Sequence, residues 1–338
     1  DSNGLNFQGS DDTYIVDYDT AGQAINLVYS DATIGWTPSS DIANALEPVP
    51  PPTQKAIFGY GAPSSGITSI SNLVNSSGVI ATDTTGVGTD RKWVAAASYG
   101  LDKAIFGYGD TGSVVSLTNL VNNSGVIAAD TTGVGTARYL LAAAGYGTDK
   151  AIFGYGVVDT YLSMTNLVSN SGVVGTDVSG VGTARYGLAA CSYGTDKAIF
   201  GYGYVDSRVS LTNLVSNSGV VSADVTGVGT VRNVLAAAGY GGDKGIFGYG
   251  FDGSRLSMTN LVSNTGVVGS DVTGVGTGRN GLAATNYGGD KAVFAYGNDS
   301  GGRTSVKNLV SSSGVVAADV TGVGTAREGL AAAGYSTS

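Results

Sequence analysis

The sequence predicts an all-β fold: a six-bladed β-propeller of four-stranded blades, preceded by a small N-terminal β segment. Three observations predict it. A unit of about 47 residues recurs six times, its leading lysines at Lys55, Lys103, Lys150, Lys197, Lys244 and Lys291. Each unit consists of β-branched and aromatic runs cut by glycine, at the length of one propeller blade. The repeat is entered at a second strand, Lys55–Gly61, and left after a first strand, Leu330–Tyr335. The last strand can therefore complete the first blade and leave no open sheet edge.

Taken in chain order, residues 1–47 do not share the repeat and read as a small β anchor. Strands are expected at Thr13–Thr20 and Ala24–Asp31, with a turn at Ala21–Gln23. Trp36 is expected to cap a small core there. An alternative makes residues 1–47 a seventh blade, although they match no part of the unit. Residues 48–54 contain a run of prolines and read as a stiff spacer. Residues 55–338 form the propeller. Within each unit LAAAxY is the first strand, and its small residues suit the crowded axis. KAIFGYG is the second strand, apolar on both faces because neighbouring blades cover it. The TNLV segment is the third, and GVVxxDVTG the fourth.

Composition narrows the function. The chain has 338 residues, 55 of them glycine, with 42% apolar and only 13% charged. That is the composition of a packed protein, not a disordered one. A net charge of −9 disfavours nucleic acid, whose binding needs a basic surface to displace counterions. No apolar run reaches the length of a membrane-spanning helix. There is no signal-peptide pattern and no initial Met, so export is not legible. The chain has no histidine, which removes Ser-His-Asp and Cys-His catalysis, histidine metal sites and histidine pH switches. Cys191 is the single cysteine and stands where other units have Ala97, Ala144, Ala238, Thr285 and Ala333. It is expected to be a small buried residue rather than a reactive thiol.

The segment from the Arg through LAAAGYG-TDK-AIFGYG resembles the kelch repeat over about 280 residues. That family has an Arg near the blade junction, a small-residue inner strand, a short turn, and an apolar strand ending in Gly-Gly. Here the strand ends in Gly-Tyr-Gly, as at Gly107-Tyr108-Gly109, and the outer-strand Trp is missing. Ala24–Asp31 followed by Ile34–Pro38 is similar to short β segments of tailed-phage structural and tail-fibre proteins. That resemblance implies that residues 1–47 bind virion or fibre partners and that the protein is a homo-oligomer on a virion surface or outside the cell.

Candidate site residues lie where the repeats differ. The turns YGTDK and SNSG are nearly constant, whereas the second-to-third loop and the pair after each Arg vary. In a blade both variable segments meet on one rim. That rim carries Trp93, Tyr139, Tyr161, Tyr186, Tyr204 and Phe251, together with Arg208, Arg255, Arg303, Asp110, Asp159, Asp206, Asp252 and Asp299. Aromatic rings beside planar polar groups suit recognition of sugars or protein surfaces. The bland alternative is loop drift, which would favour Ser and Gly over Tyr and Arg. Loop aspartates could also ligate Ca²⁺, although no loop has the ligand density of a dedicated site. No other cofactor is expected.

Arg91, Arg138, Arg185, Arg232, Arg279 and Arg327 recur eight residues after Asp83, Asp130, Asp177, Asp224, Asp271 and Asp319. Such recurrence points to structure. The guanidinium can tie each blade to its neighbour through carbonyls or that Asp. A ring of Arg binding an anion near the channel is the alternative. An enzyme reading, a glycan hydrolase, needs paired carboxylates that break the symmetry. Glu47 and Glu328 are the only glutamates, so no enzyme is expected. The sequence-based expectation is a non-enzymatic virion or surface structural protein whose rim recognises a host glycan or protein. A secreted lectin-like module and a capsid or tail decoration are the alternatives.

Overall fold

The computed structural model describes residues 27–29, 36–38 and 53–336. Residues 1–50 and 51–338 separate into two compact units. In the first, β1 (Leu27–Tyr29) pairs antiparallel with β2 (Trp36–Pro38), Val28 opposite Thr37. The expected strand at Ala24–Asp31 thus contains β1, and its partner is the Trp36 segment. The strand expected at Thr13–Thr20 and its turn lie outside the described residues.

The second unit is all-β, with no helix among the described residues. It holds six three-stranded antiparallel sheets. Five follow the chain: β5 (Ala95–Tyr99), β6 (Lys103–Gly107) and β7 (Thr118–Val121); β8 (Ala142–Tyr146), β9 (Lys150–Val157) and β10 (Tyr161–Val168); β11 (Ala189–Tyr193), β12 (Lys197–Val205) and β13 (Ser207–Val215); β14 (Ala236–Tyr240), β15 (Lys244–Gly248) and β16 (Thr259–Val262); β17 (Ala283–Tyr287), β18 (Lys291–Ala295) and β21 (Lys307–Val310). A small hairpin, β19 (Asn298–Asp299) with β20 (Gly302–Arg303), interrupts the last of these. The sixth sheet joins the two ends of the repeat region. There β22 (Ala331–Tyr335) pairs with β3 (Lys55–Gly59), Ala331 opposite Gly59 and Tyr335 opposite Lys55, and β3 pairs with β4 (Ser71–Val74). Thr53 and Gln54, expected in the spacer, belong to this body: the Gln54 N–H donates to the Ser336 carbonyl at 2.7 Å.

The alanine-rich strands neighbour one another in cyclic order, β5 beside β8, then β11, β14, β17, β22 and again β5. Only small side chains allow that approach. In β5, β8, β11 and β14 the burial alternates, whereas the middle strands are buried on both faces. Ile and Phe of the middle strands, such as Ile105 and Phe106, are fully buried. Each contributes about 1.5–3 kcal/mol of transfer free energy. Phe106 also meets the Tyr60 ring edge-on at 5.2 Å, across to the preceding sheet. The same contact recurs to Phe58–Tyr296 at 5.3 Å, between the β17–β18–β21 sheet and the β22–β3–β4 sheet.

The fourth strand does not form as expected. GVVxxDVTG makes only isolated bridges to the third strand, Val74 to Ile80 and Ser71 to Thr84 in the first repeat. Between them the outer segment carries one residue more than its partner, so the ladder bulges. Asn72 occupies the gap. Its Nδ2 donates to the Ala81 carbonyl at 3.0 Å and to Asp83 Oδ1 at 2.9 Å, replacing backbone pairing.

Candidate functional site

The constant polar residues form a junction at each of the six sheets: the Arg–Asn bond recurs at all six, and the full set of bonds at Arg138, Arg185 and Arg327. At the β8–β9–β10 sheet the Arg138 Nε donates to the Tyr155 carbonyl at 2.8 Å, NH1 to the Thr136 carbonyl at 2.9 Å, and NH2 to Asn166 Oδ1 at 2.7 Å. Its guanidinium lies 4.3 Å from the ring centroid of Tyr108 in the preceding sheet. That phenol donates to the Val134 carbonyl at 3.1 Å. All six arginines are fully buried. The Asp beside each receives a second tie: Thr136 donates its N–H at 3.0 Å and its hydroxyl at 2.7 Å to Asp177. Last joins first by the same set. Thr325 donates to Asp83, and Arg327 donates to the Tyr60 carbonyl at 2.8 Å and to Asn72 Oδ1 at 2.7 Å.

The eight-residue spacing is therefore not a contact within one repeat. Arg91 reaches Asp130 at 3.7 Å and Arg279 reaches Asp319 at 3.6 Å, each the Asp of the following repeat. The segment carrying Arg leaves one sheet and docks on the next, and its own Asp has been left behind. Burial acts to raise the Asp177 pKa. Hydrogen bonds from Thr136 and Asn166 and the Arg138 charge outweigh it, holding the carboxyl below its ordinary 3.8. Sequence reasoning missed the Asn. Its signal was a polar residue recurring at one position of an apolar strand, at Asn72, Asn119, Asn166, Asn213, Asn260 and Asn308.

The variable segments meet at one end of each sheet. The residue after each Arg bridges to the end of the second strand: Lys92 to Asp110, Tyr139 to Val157, Tyr186 to Tyr204, Asn233 to Phe251, Asn280 to Asn298, and Glu328 to Ala62. Two hairpins extend beyond the rest, β9–β10 with strands of eight residues and β12–β13 with strands of nine. Between them stands a wall of tyrosines. The Tyr161 and Tyr186 centroids are 5.4 Å apart, and those of Tyr186 and Tyr204 also 5.4 Å. Burial first, then the neighbouring phenols of Tyr161, Tyr204 and Tyr139, push the Tyr186 hydroxyl above the usual tyrosine range. Beside the wall Arg208 lies 4.8 Å from the Phe251 centroid.

The opposite part of the rim is polar. Arg255 donates to Asn298 Oδ1 at 3.1 Å, Asn298 donates to Glu328 Oε2 at 3.1 Å, and Arg303 pairs with Glu328 at 3.0 Å. Several loop aspartates are spent locally. Asp110, Asp252 and Asp299 accept the backbone N–H two residues on, from Gly112, Ser254 and Gly301. Asp110 also faces Lys92 at 3.5 Å. Asp159 and Asp206 are exposed at the two hairpin tips, where Asp206 adopts a φ of 48°. Among the described residues no group of acidic or sulfur side chains is arranged to hold a metal.

Trp93 takes part in a second arrangement at this end of the sheets. It belongs with Leu140, Gly187, Val234, Gly281 and Gly329, the second residue of each variable pair, which form a closed ring of backbone hydrogen bonds. Trp93 donates to Gly329, Gly329 to Gly281, Gly281 to Val234, Val234 to Gly187, Gly187 to Leu140, and Leu140 to Trp93, over 2.6–3.3 Å. All six have a left-handed φ of 53–63°. A cup of about 70 Å³ is lined by this ring and by the valine and five leucines that follow its members.

No protein-family model matches the chain, and no curated protein matches it.

Proposed function

We propose that the body is a six-bladed β-propeller serving as a non-enzymatic recognition module, with the tyrosine wall as its face for a glycan of a host or cell surface. The observation that carries this reading is Tyr161, Tyr186 and Tyr204 in mutual contact beside two protruding hairpins. An otherwise repeated architecture breaks its symmetry there with flat, half-buried rings. Such rings stack on the apolar face of a sugar, while the polar rim opposite offers planar donors and acceptors for hydroxyl groups. The propeller reading is supported by the cyclic order of the alanine strands and the pairing of β22 with β3.

The non-enzymatic part is supported by the lack of histidine and by the engagement of Glu328 with Arg303 and Asn298. Carriage on a virion or fibre through residues 1–47 rests on the sequence of that segment. The test is a glycan array and a cell-adsorption assay with the full chain, comparing wild type with Tyr139→Ala/Tyr186→Ala/Tyr204→Ala. Binding by wild type that the variant loses is the expected result. Equal binding by both removes the wall from the function.

A further inference from the structure

At the variable end of the β11–β12–β13 sheet three residues stand in one row. Tyr186 bridges to Tyr204, and Tyr204 is paired with Arg208 across β12 and β13. Side chains directly opposite on neighbouring strands lie on one face of a sheet. The equivalent rows of other sheets read Tyr139, Val157, Tyr161; Asn233, Phe251, Arg255; and Asn280, Asn298, Arg303. The Tyr186–Tyr204–Arg208 row differs from them in setting two phenols beside a guanidinium.

The bonds of the arginines separate Arg208 from the rest. The chain has nine arginines. The six at the junctions each donate to an Asn, Arg255 donates to Asn298, and Arg303 pairs with Glu328. Arg208 alone has neither a hydrogen-bond acceptor nor an ion pair among the described residues. Its Nε is buried without a partner, whereas the side chain as a whole is only partly buried and its terminal nitrogens reach solvent.

Its place is nevertheless fixed. The guanidinium lies 4.8 Å from the Phe251 centroid, and Phe251 is held by two backbone bonds to Asn233, at 2.9 and 3.1 Å. On the other side the Tyr204 N–H donates to the Tyr186 carbonyl at 2.9 Å and the Tyr204 hydroxyl to the Asp206 carbonyl at 3.0 Å. Asp206 lies two residues away and Asp252 follows Phe251, yet neither pairs with Arg208. Asp252 accepts the Ser254 N–H instead. A guanidinium that is stacked, held and unpaired is organised for an acceptor from outside the chain. Its planar fork matches a carboxylate, which accepts two parallel bonds from it.

We propose that Arg208 is the carboxylate-binding residue of the tyrosine wall, so that the glycan taken there is acidic, a carboxylated sugar stacked on Tyr186 and Tyr204. This rests on the glycan-binding reading above and names the class of sugar. Neighbouring strands are about 4.8 Å apart, so a ring on Tyr204 brings a carboxylate on its edge within reach of Arg208.

The test uses the full chain on an array of matched epitopes, each hexose beside its hexuronic acid and its sulfated counterpart, followed by titration of the best set. Wild type is expected to prefer the uronic acid to the hexose about tenfold or more, the scale of a charge-assisted hydrogen bond. The preference should shrink as salt rises, because Arg208 is partly exposed. Arg208→Gln is expected to bring the two members to equal affinity. Arg208→Lys is expected to keep part of the preference, as a charge without the planar fork. A thermal melt confirms that each variant folds, and the wild-type comparison needs no variant. Equal affinity of wild type for hexose and uronic acid overturns the carboxylate site and leaves the glycan reading standing. A preference that survives Arg208→Gln overturns the role of Arg208. Tighter binding of the sulfated member than of the uronic acid overturns carboxylate as the group recognised. Absence of any array signal overturns both readings.

Discussion

Gly245 stands where the other repeats have Ala56, Ala104, Ala151, Ala198 and Ala292, and the structure gives the reason. A Cβ added there would lie 2.5 Å from the Sγ of Cys191 in the neighbouring sheet. Carbon atoms in good contact sit at about 3.5–4.0 Å, so the overlap exceeds an ångström. Cys191 is itself the exception among alanines, and the two departures compensate: one sheet gains a sulfur and the next gives up a methyl. Thr285, the other non-alanine at that position, bonds the Asn286 carbonyl at 3.4 Å and leaves Ala56 in place. Gly245→Ala alone is therefore expected to cost about 1–3 kcal/mol by overpacking. Cys191→Ala alone should cost about 1 kcal/mol, for one buried atom and a small void. The double variant restores the common pair and should match wild type or exceed it slightly, since alanine also lowers the entropy of the unfolded chain. The two effects should fail to add by about 2 kcal/mol, well above the experimental scatter of about 0.3–0.5 kcal/mol for independent sites. Urea denaturation of the four proteins, followed by circular dichroism, measures this. A destabilised double variant equal to the sum of the singles would refute the reasoning.

The same structure makes further predictions. Acid should loosen the body through the six junction carboxylates. Their pKa values are depressed in the fold, so their stabilisation is full above the ordinary 3.8 and is lost as pH falls through the lower folded value. A pH-dependent melt should drop below about pH 4, and Asp177→Asn should show a smaller drop; an identical acid profile would argue against the ties. Arg327→Met and Arg185→Met should cost the same within about 1 kcal/mol, several kcal/mol each, because the junction between last and first sheets uses the same three side-chain bonds as the one at Arg185. A much smaller cost for Arg327→Met in urea titrations would show the ends to be loosely joined. The Cys191 thiol, pushed up to about 12 by burial, should resist a disulfide reagent in the native protein and react fully in denaturant. Rapid native labelling would place it at the surface.

Much of the fold was legible because period and composition act together. Alanine runs between long apolar strands have few uses other than close approach of several strands, and that is where β5, β8, β11, β14, β17 and β22 lie. The fourth strand was misread because valine alternation concealed the competition from Asn72 and its equivalents for the same hydrogen bonds. The Arg–Asp relation was legible as a recurrence but not as a contact. Spacing along one chain cannot show that a segment crosses to the next sheet before it docks. The rim candidates were chosen by difference between repeats, a criterion that takes in the turn-forming Asp110, Asp252 and Asp299 as readily as the tyrosines. Difference alone does not separate a side chain facing solvent from one held in a local turn or beside the backbone ring of Trp93. The left-handed ring was hidden for the same reason, since three of its residues are not glycine.

The proposed recognition role turns on where a glycan sits. A crystal structure of the full chain with the best-bound glycan of the array should show a sugar ring against Tyr186, flanked by Tyr161 and Tyr204, between the β9–β10 and β12–β13 hairpins. A glycan seated on the constant SNSG turns at the other end of the sheets, with the tyrosine wall unoccupied, would contradict it.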